Sequence, residues 1–173
     1  MKKPDYKKAE KTASNLLKNH GIEAPFVNVI TIAEREGLKL QWFNPDSLTN
    51  QYPRVPAFKE LREVAGFFDP ETNTIHINEN DPPNRQTFTI AHELGHYVLG
   101  HSDYGVLPRW QKLGEKKEPV EKEADAFAAS LLVPIPMLKS TMSEYSLSKK
   151  DVGILARLFA VSEEMMRYRL PLI

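Results

Sequence analysis

The stretch Asn84–His101 reads NRQTFTIAHELGHYVLGH and contains His92-Glu93-Leu94-Gly95-His96. On a helix, positions i and i+4 project from one face, one turn apart. His92 and His96 can therefore aim two imidazoles at one tetrahedral cation. Glu93 lies ~100° further round, which makes it a poor third ligand. It sits instead beside the position a water would take. Two nitrogens, a base next to the water and an open coordination position are what a metallohydrolase needs. The competing reading is three polar residues on an ordinary helix. Against it, Phe88, Ala91, Gly95, Val98 and Leu99 form an apolar stripe that sets the histidines at the border of a core. Gly95 costs the helix about 1 kcal/mol relative to Ala, which makes sense where another element or a ligand must approach closely.

A metal still needs a third ligand. His101 follows His96 just past Gly100, but the extended metzincin pattern would place Gly and His where Leu99 and Ser102 stand. His101 is therefore expected on the exit turn, exposed or hydrogen-bonded. The segment Glu121–Ala129, EKEADAFAA, offers more. Glu121 and Asp125 are i and i+4 and border the core-facing stripe of Ala124, Ala128, Leu131 and Leu132. Glu121 is the preferred third ligand. Asp125 can accept the other ring N–H of a ligand histidine, fixing its tautomer. Glu123 lies ~200° from Glu121 and would serve only if the helix turned differently. The bland alternative puts all three acids on a solvated face beside Lys122.

Composition narrows the function. The chain has 173 residues, 41% hydrophobic and 27% charged, which suits one compact domain with a core of its own. Lys+Arg and Asp+Glu are both 23, so the basic excess of a dedicated DNA-binding protein is missing. There is no cysteine, which removes disulfides, thiolate metal sites and cysteine nucleophiles. It also removes the deformylase-type hydrolases, which take a cysteine as third ligand. No apolar h-region follows the charged N-terminus and no run reads as a transmembrane helix, so a cytoplasmic protein is expected.

Helices are predicted over Asp5–Asn19, Asn28–Glu36, about Pro82–Leu99, Pro119–Val133, Met137–Met142, Ser148–Phe159 and Ser162–Leu170. Ser148 with Asp151 approximates a capping box. LKLQWF (38–43), VAGFF (64–68) and TIHIN (74–78) read as strands, the last two forming a hairpin. TIHIN is the expected sheet edge for an extended substrate, with His76 at the surface. The proline-rich residues 44–61 read as a loop and candidate lid.

The FTIAHELGH context, the hairpin with Gly66 before it and EADAFAASLLVP after it resemble the ImmA/IrrE family of metallo-endopeptidases. The resemblance covers roughly Leu38–Pro134. It implies an α+β, zincin-like core in which a small antiparallel-rich sheet packs on the HELGH helix. It implies one zinc ion on His92, His96 and Glu121, with Glu93 as catalytic base. A metallopeptidase domain over residues 1–134 and a helix-turn-helix-like helical subdomain over 135–173 are expected. The implied substrate is a helix-turn-helix repressor, as in antirepressor or stress regulation. A second oxyanion donor is expected among Tyr97, His101, Tyr104 and Arg109. The alternative function is a repressor-binding or DNA-binding regulator with a structural or sensory zinc. Helices through Ile154–Leu170, with Arg167 and Arg169, would carry the DNA contact, but the balanced charge makes a nucleic-acid partner a minority reading.

Overall fold

The computed structural model describes residues 3–47, 64–101 and 118–173. The described chain is α+β, with a three-stranded sheet and helices making up most of the rest. Asp5 caps α1 (Tyr6–Asn19) by accepting from the Lys8 N–H. The helix buries Ala9, Ala13, Leu16 and Leu17. The short helix α2 (Val29–Arg35) leads into β1 (Lys39–Phe43). β2 (Gly66–Asp69) and β3 (Thr74–Asn78) form the hairpin. Asp69 organises its turn by accepting from the Glu71 N–H and the Thr72 hydroxyl.

The sheet order is β1-β3-β2, with β1 parallel and β2 antiparallel to β3. Two expectations change here. The sheet is mixed rather than antiparallel-rich. TIHIN is its central strand rather than an edge, because β1 pairs on the side of β3 that the hairpin leaves open. Burial agrees: Ile75 and Ile77 are fully enclosed. His76 stacks on Phe67, with ring centroids 4.5 Å apart, rather than standing free at the surface. Among the described residues, the edges are β1 and β2.

Helix α3 (Pro83–Leu99) starts with proline in its first turn, where the missing N–H costs nothing. It ends at Gly100, whose φ of 71° is open to glycine at little cost. The burial of α3 extends beyond the apolar stripe to Ile90 and Leu94, since the sheet, α1, α2 and α4 all pack on it. Helix α4 (Pro119–Leu132) packs on α3 and α1 and buries Ala124, Ala126, Ala128 and Ala129. The close approach expected at Gly95 is made by α4: a Cβ there would stand 2.8 Å from the Phe127 ring.

Helices α5 (Ile135–Glu144), α6 (Val152–Leu158) and α7 (Glu163–Arg169) follow, closed by a 3-10 turn at Leu170–Leu172. Helix α6 begins four residues later than Ser148. Asp151 turns its carboxylate back to the Ser148 N–H and hydroxyl, so those residues form a turn before the helix. One cluster of buried residues joins Ala13, Ile75, Leu94 and Phe127 to Leu138, Leu155, Phe159 and Met166, across the boundary expected at 134. Residues Pro119–Glu144 are long and apolar enough to span a membrane, contrary to the reading of the sequence. That apolar character goes with burial, since 61% of the most apolar window lies inside the protein. The candidate lid lies mostly outside the described residues, as do Tyr104 and Arg109.

Candidate metal centre

The i, i+4 spacing on α3 does what helical geometry predicts. His92 and His96 turn their Nε2 atoms toward each other, 3.0 Å apart. Glu121, in the first turn of α4, reaches into the same space. Its carboxylate lies 3.3 Å from His92 Nε2 and 4.0 Å from His96 Nε2. One donor atom from each of the three residues lies within 4.8 Å of the others. In a tetrahedral site with bonds of ~2.0–2.2 Å, ligand atoms stand ~3.3–3.5 Å apart, so the donor set fits one divalent ion with small adjustments.

The outer nitrogens reinforce this. His92 Nδ1 is 3.1 Å from Asp125 Oδ1. A carboxylate there only accepts, so Nδ1 carries the hydrogen and Nε2 offers its lone pair. His96 Nδ1 lies 2.8 Å from Nδ1 of His101, and His101 Nε2 lies 3.2 Å from Glu123 Oε2. The sequence reading left His101 exposed or hydrogen-bonded; it is bonded, and its side chain is 7% exposed. Glu123 stands apart from the three-residue group. Its second oxygen accepts from the Asp5 N–H at 2.9 Å.

Glu93 is buried beside the group, and its Oε2 has no hydrogen-bond partner among the described residues. Burial pushes its carboxyl up to about 7; the Glu121 charge adds to the rise, while His92 and the Phe68 backbone N–H oppose it. Burial disfavours a charged His92, but the hydrogen bonds it donates to Asp125 and Glu121 and the Glu93 charge outweigh that and raise it to about 10. Burial holds His96 well below its ordinary value, helped by His92 and His101. Three carboxylates thus favour a cation at the centre, and a divalent ion satisfies them better than a proton on His92.

The Phe68 bond also reveals which sheet edge faces the site. Asn78 donates to the Ala65 carbonyl, which makes Phe68–Ile75 a pair without mutual hydrogen bonds. Phe68 therefore points its backbone groups outward, toward Glu93. Of the other oxyanion candidates, Tyr97 is partly exposed, with its hydroxyl 3.5 Å from the Glu36 carbonyl. In the C-terminal helices, Arg169 is buried with Nε donating to the Val133 carbonyl, and Arg167 pairs with Glu163 one turn back.

A family model described as the IrrE N-terminal-like domain matches residues 58–171. The radiation response metalloprotease IrrE of Deinococcus radiodurans is 36% identical over 107 residues, covering 61% of this chain and 33% of the relative. Its counterpart from Deinococcus deserti is 31% identical over 115 residues, covering 65% and 41%. The metallopeptidase ImmA of Bacillus subtilis is 38% identical over 68 residues, covering 39% and 38%. This chain therefore spans well under half the length of each. A solved structure described as a Mycobacterium tuberculosis transcriptional regulator has a TM-score of 0.57 at 15% identity, covering 94% of this chain and 46% of the other. That likeness concerns fold alone. The family match covers most of the chain and includes every residue of the His92–Glu121 group, so this protein belongs to the ImmA/IrrE family.

Proposed function

We propose that this protein is a zinc-dependent endopeptidase that hydrolyses a peptide bond in a protein substrate. The observation that carries the reading is Glu93: a buried carboxylate oxygen without a partner among the described residues, beside three converging metal-ligand side chains. His92, His96 and Glu121 are the ligands in this reading, and Asp125 fixes the His92 tautomer. The same reading takes the core as zincin-like, with the helices after Pro134 as a subdomain seated on it, in a cytoplasmic protein.

A zinc ion bound there supplies Lewis acidity, polarising the scissile carbonyl and acidifying water. The chain's residues do the rest. Glu93 Oε2 takes a proton from the attacking water and returns it to the leaving amine nitrogen. Burial raises this carboxyl in the metal-free centre, and the same burial favours its holding the proton between the two steps. The extended substrate adds to the outer edge of β2, the strand that faces Glu93, and not to TIHIN.

The substrate class suggested by the family resemblance is a helix-turn-helix repressor. The rival reading, a DNA-binding regulator, draws no support from α6 and α7, because Arg169 is buried and Arg167 is paired. To test the proposal, Glu93→Gln protein serves as a trap in native lysate. Captured partners are then incubated with wild type, with and without chelator. Zinc-dependent cleavage of a repressor by wild type alone supports the proposal. A partner that binds and is never cut counts against it.

A further inference from the structure

We propose that His101 and Glu123 form a relay that sets the tautomer of His96 and so holds its Nε2 ready for the metal. The inference rests on the metal-centre reading above and adds two positioning residues to it. It begins with the end of α3. Gly100 donates to the Tyr97 carbonyl and His101 donates to the His96 carbonyl. Those two bonds, around a left-handed Gly100, make a Schellman turn. Such turns fold the residue after the glycine back over the last helical turn, usually in an apolar contact. Here the residue folded back is His101 and the one it covers is His96, with ring centroids 5.0 Å apart.

Hydrogen positions then follow in order. Glu123 is tied to the Asp5 N–H through one oxygen, and its other oxygen faces His101 Nε2. A carboxylate accepts, so His101 carries its hydrogen on Nε2 and leaves Nδ1 bare. His96 Nδ1, 2.8 Å away, must then be the donor. A neutral imidazole with hydrogen on Nδ1 has its lone pair on Nε2, the atom that faces His92 and Glu121. The two ligand histidines are thus fixed by different means. Asp125 acts on His92 directly, while Glu123 acts on His96 through a second imidazole.

The test uses full-length protein and Co(II) as probe, with affinity measured by chelator competition and geometry by the visible absorption of bound Co(II). His101→Leu and Glu123→Gln are expected to weaken binding by about 10–100-fold. His101→Asn, whose amide oxygen can replace Nδ1 as acceptor, is expected to restore most of it. Nitrogen-15 imidazole spectra of metal-free wild type should show His96 protonated at Nδ1 and His101 at Nε2. His92→Ala reports on the centre itself. If wild type binds no Co(II), or His92→Ala binds it equally well, the metal reading falls and the relay with it. If His92→Ala abolishes binding while His101→Leu binds like wild type, or His96 is protonated at Nε2, the relay alone is wrong.

Discussion

Helix pairs α3/α4 and α6/α7 both bring charged side chains into or against the core, and they treat them in opposite ways. In α7, Arg169 is buried but donates to the Val133 carbonyl, so its burial is accounted for within the fold. Between α3 and α4, Glu93 Oε2 is buried with no partner among the described residues, and two imidazole nitrogens face each other across 3.0 Å. Buried polar groups are nearly always satisfied, and a native exception calls for an explanation. The contrast teaches where to look for chemistry. A satisfied buried charge belongs to the scaffold, and a buried carboxylate oxygen with no partner among the described residues, beside converging imidazoles, points to something that binds.

Substitutions can break that contrast or sharpen it. The largest effect is expected from Glu93→Gln, which should retain zinc and lose about 10²–10⁴-fold in hydrolysis rate, read by substrate turnover and by metal content. A variant with full activity would put Glu93 on the scaffold side with Arg169. Next, Glu121→Gln should weaken zinc binding more than Glu123→Gln does, measured by chelator competition, because only Glu121 joins the two imidazoles.

Glu93→Gln should also change the pH dependence of metal-free stability. The folded carboxyl is raised from 4.5 to about 7, so the folded state holds this proton more tightly than the unfolded chain. The resulting penalty is absent below about 4.5, grows as pH rises, and is complete above about 7. Removing it should stabilise the protein at pH 8 by at most about 3 kcal/mol and have little effect near pH 4, as read from denaturant midpoints. A gain of the same size at both pH values would contradict that burial cost.

Gly95→Ala tests the packing that brings the pair together. Its Cβ would press on Phe127 at 2.8 Å, and overpacking costs about 1–3 kcal/mol. Relief of the helical glycine returns about 1 kcal/mol. A modest net drop in melting temperature is expected. On the other pair, Arg167→Ala removes an exposed ion pair with Glu163 and should change stability by less than about 1 kcal/mol, with no change in zinc affinity.

How far these features were legible depends on how local their causes are. The bounds of α1 and α3 follow from neighbours in sequence, Asp5 at one cap and Gly100 at another. The preference for Glu121 over Glu123 rests on angular position along one helix, and the Glu121 carboxylate stands 3.3 and 4.0 Å from the two imidazoles. The sheet order was not legible, because nothing within TIHIN says that β1 will pair beside it. The partner of Glu123 was hidden for the same reason: His101 is 22 positions away in sequence and Asp5 is 118 away. One local signal was available. A Gly-His pair straight after a helix whose last turn holds a histidine can return the second histidine onto the first.

The central claim is that His92, His96 and Glu121 hold one zinc ion. Anomalous diffraction at the zinc edge, on crystals grown with the metal, tests it most directly. The account predicts a single peak at about 2.0–2.2 Å from His92 Nε2, His96 Nε2 and a Glu121 oxygen. A peak bound by Glu123 or His101, or none between α3 and α4, would contradict it.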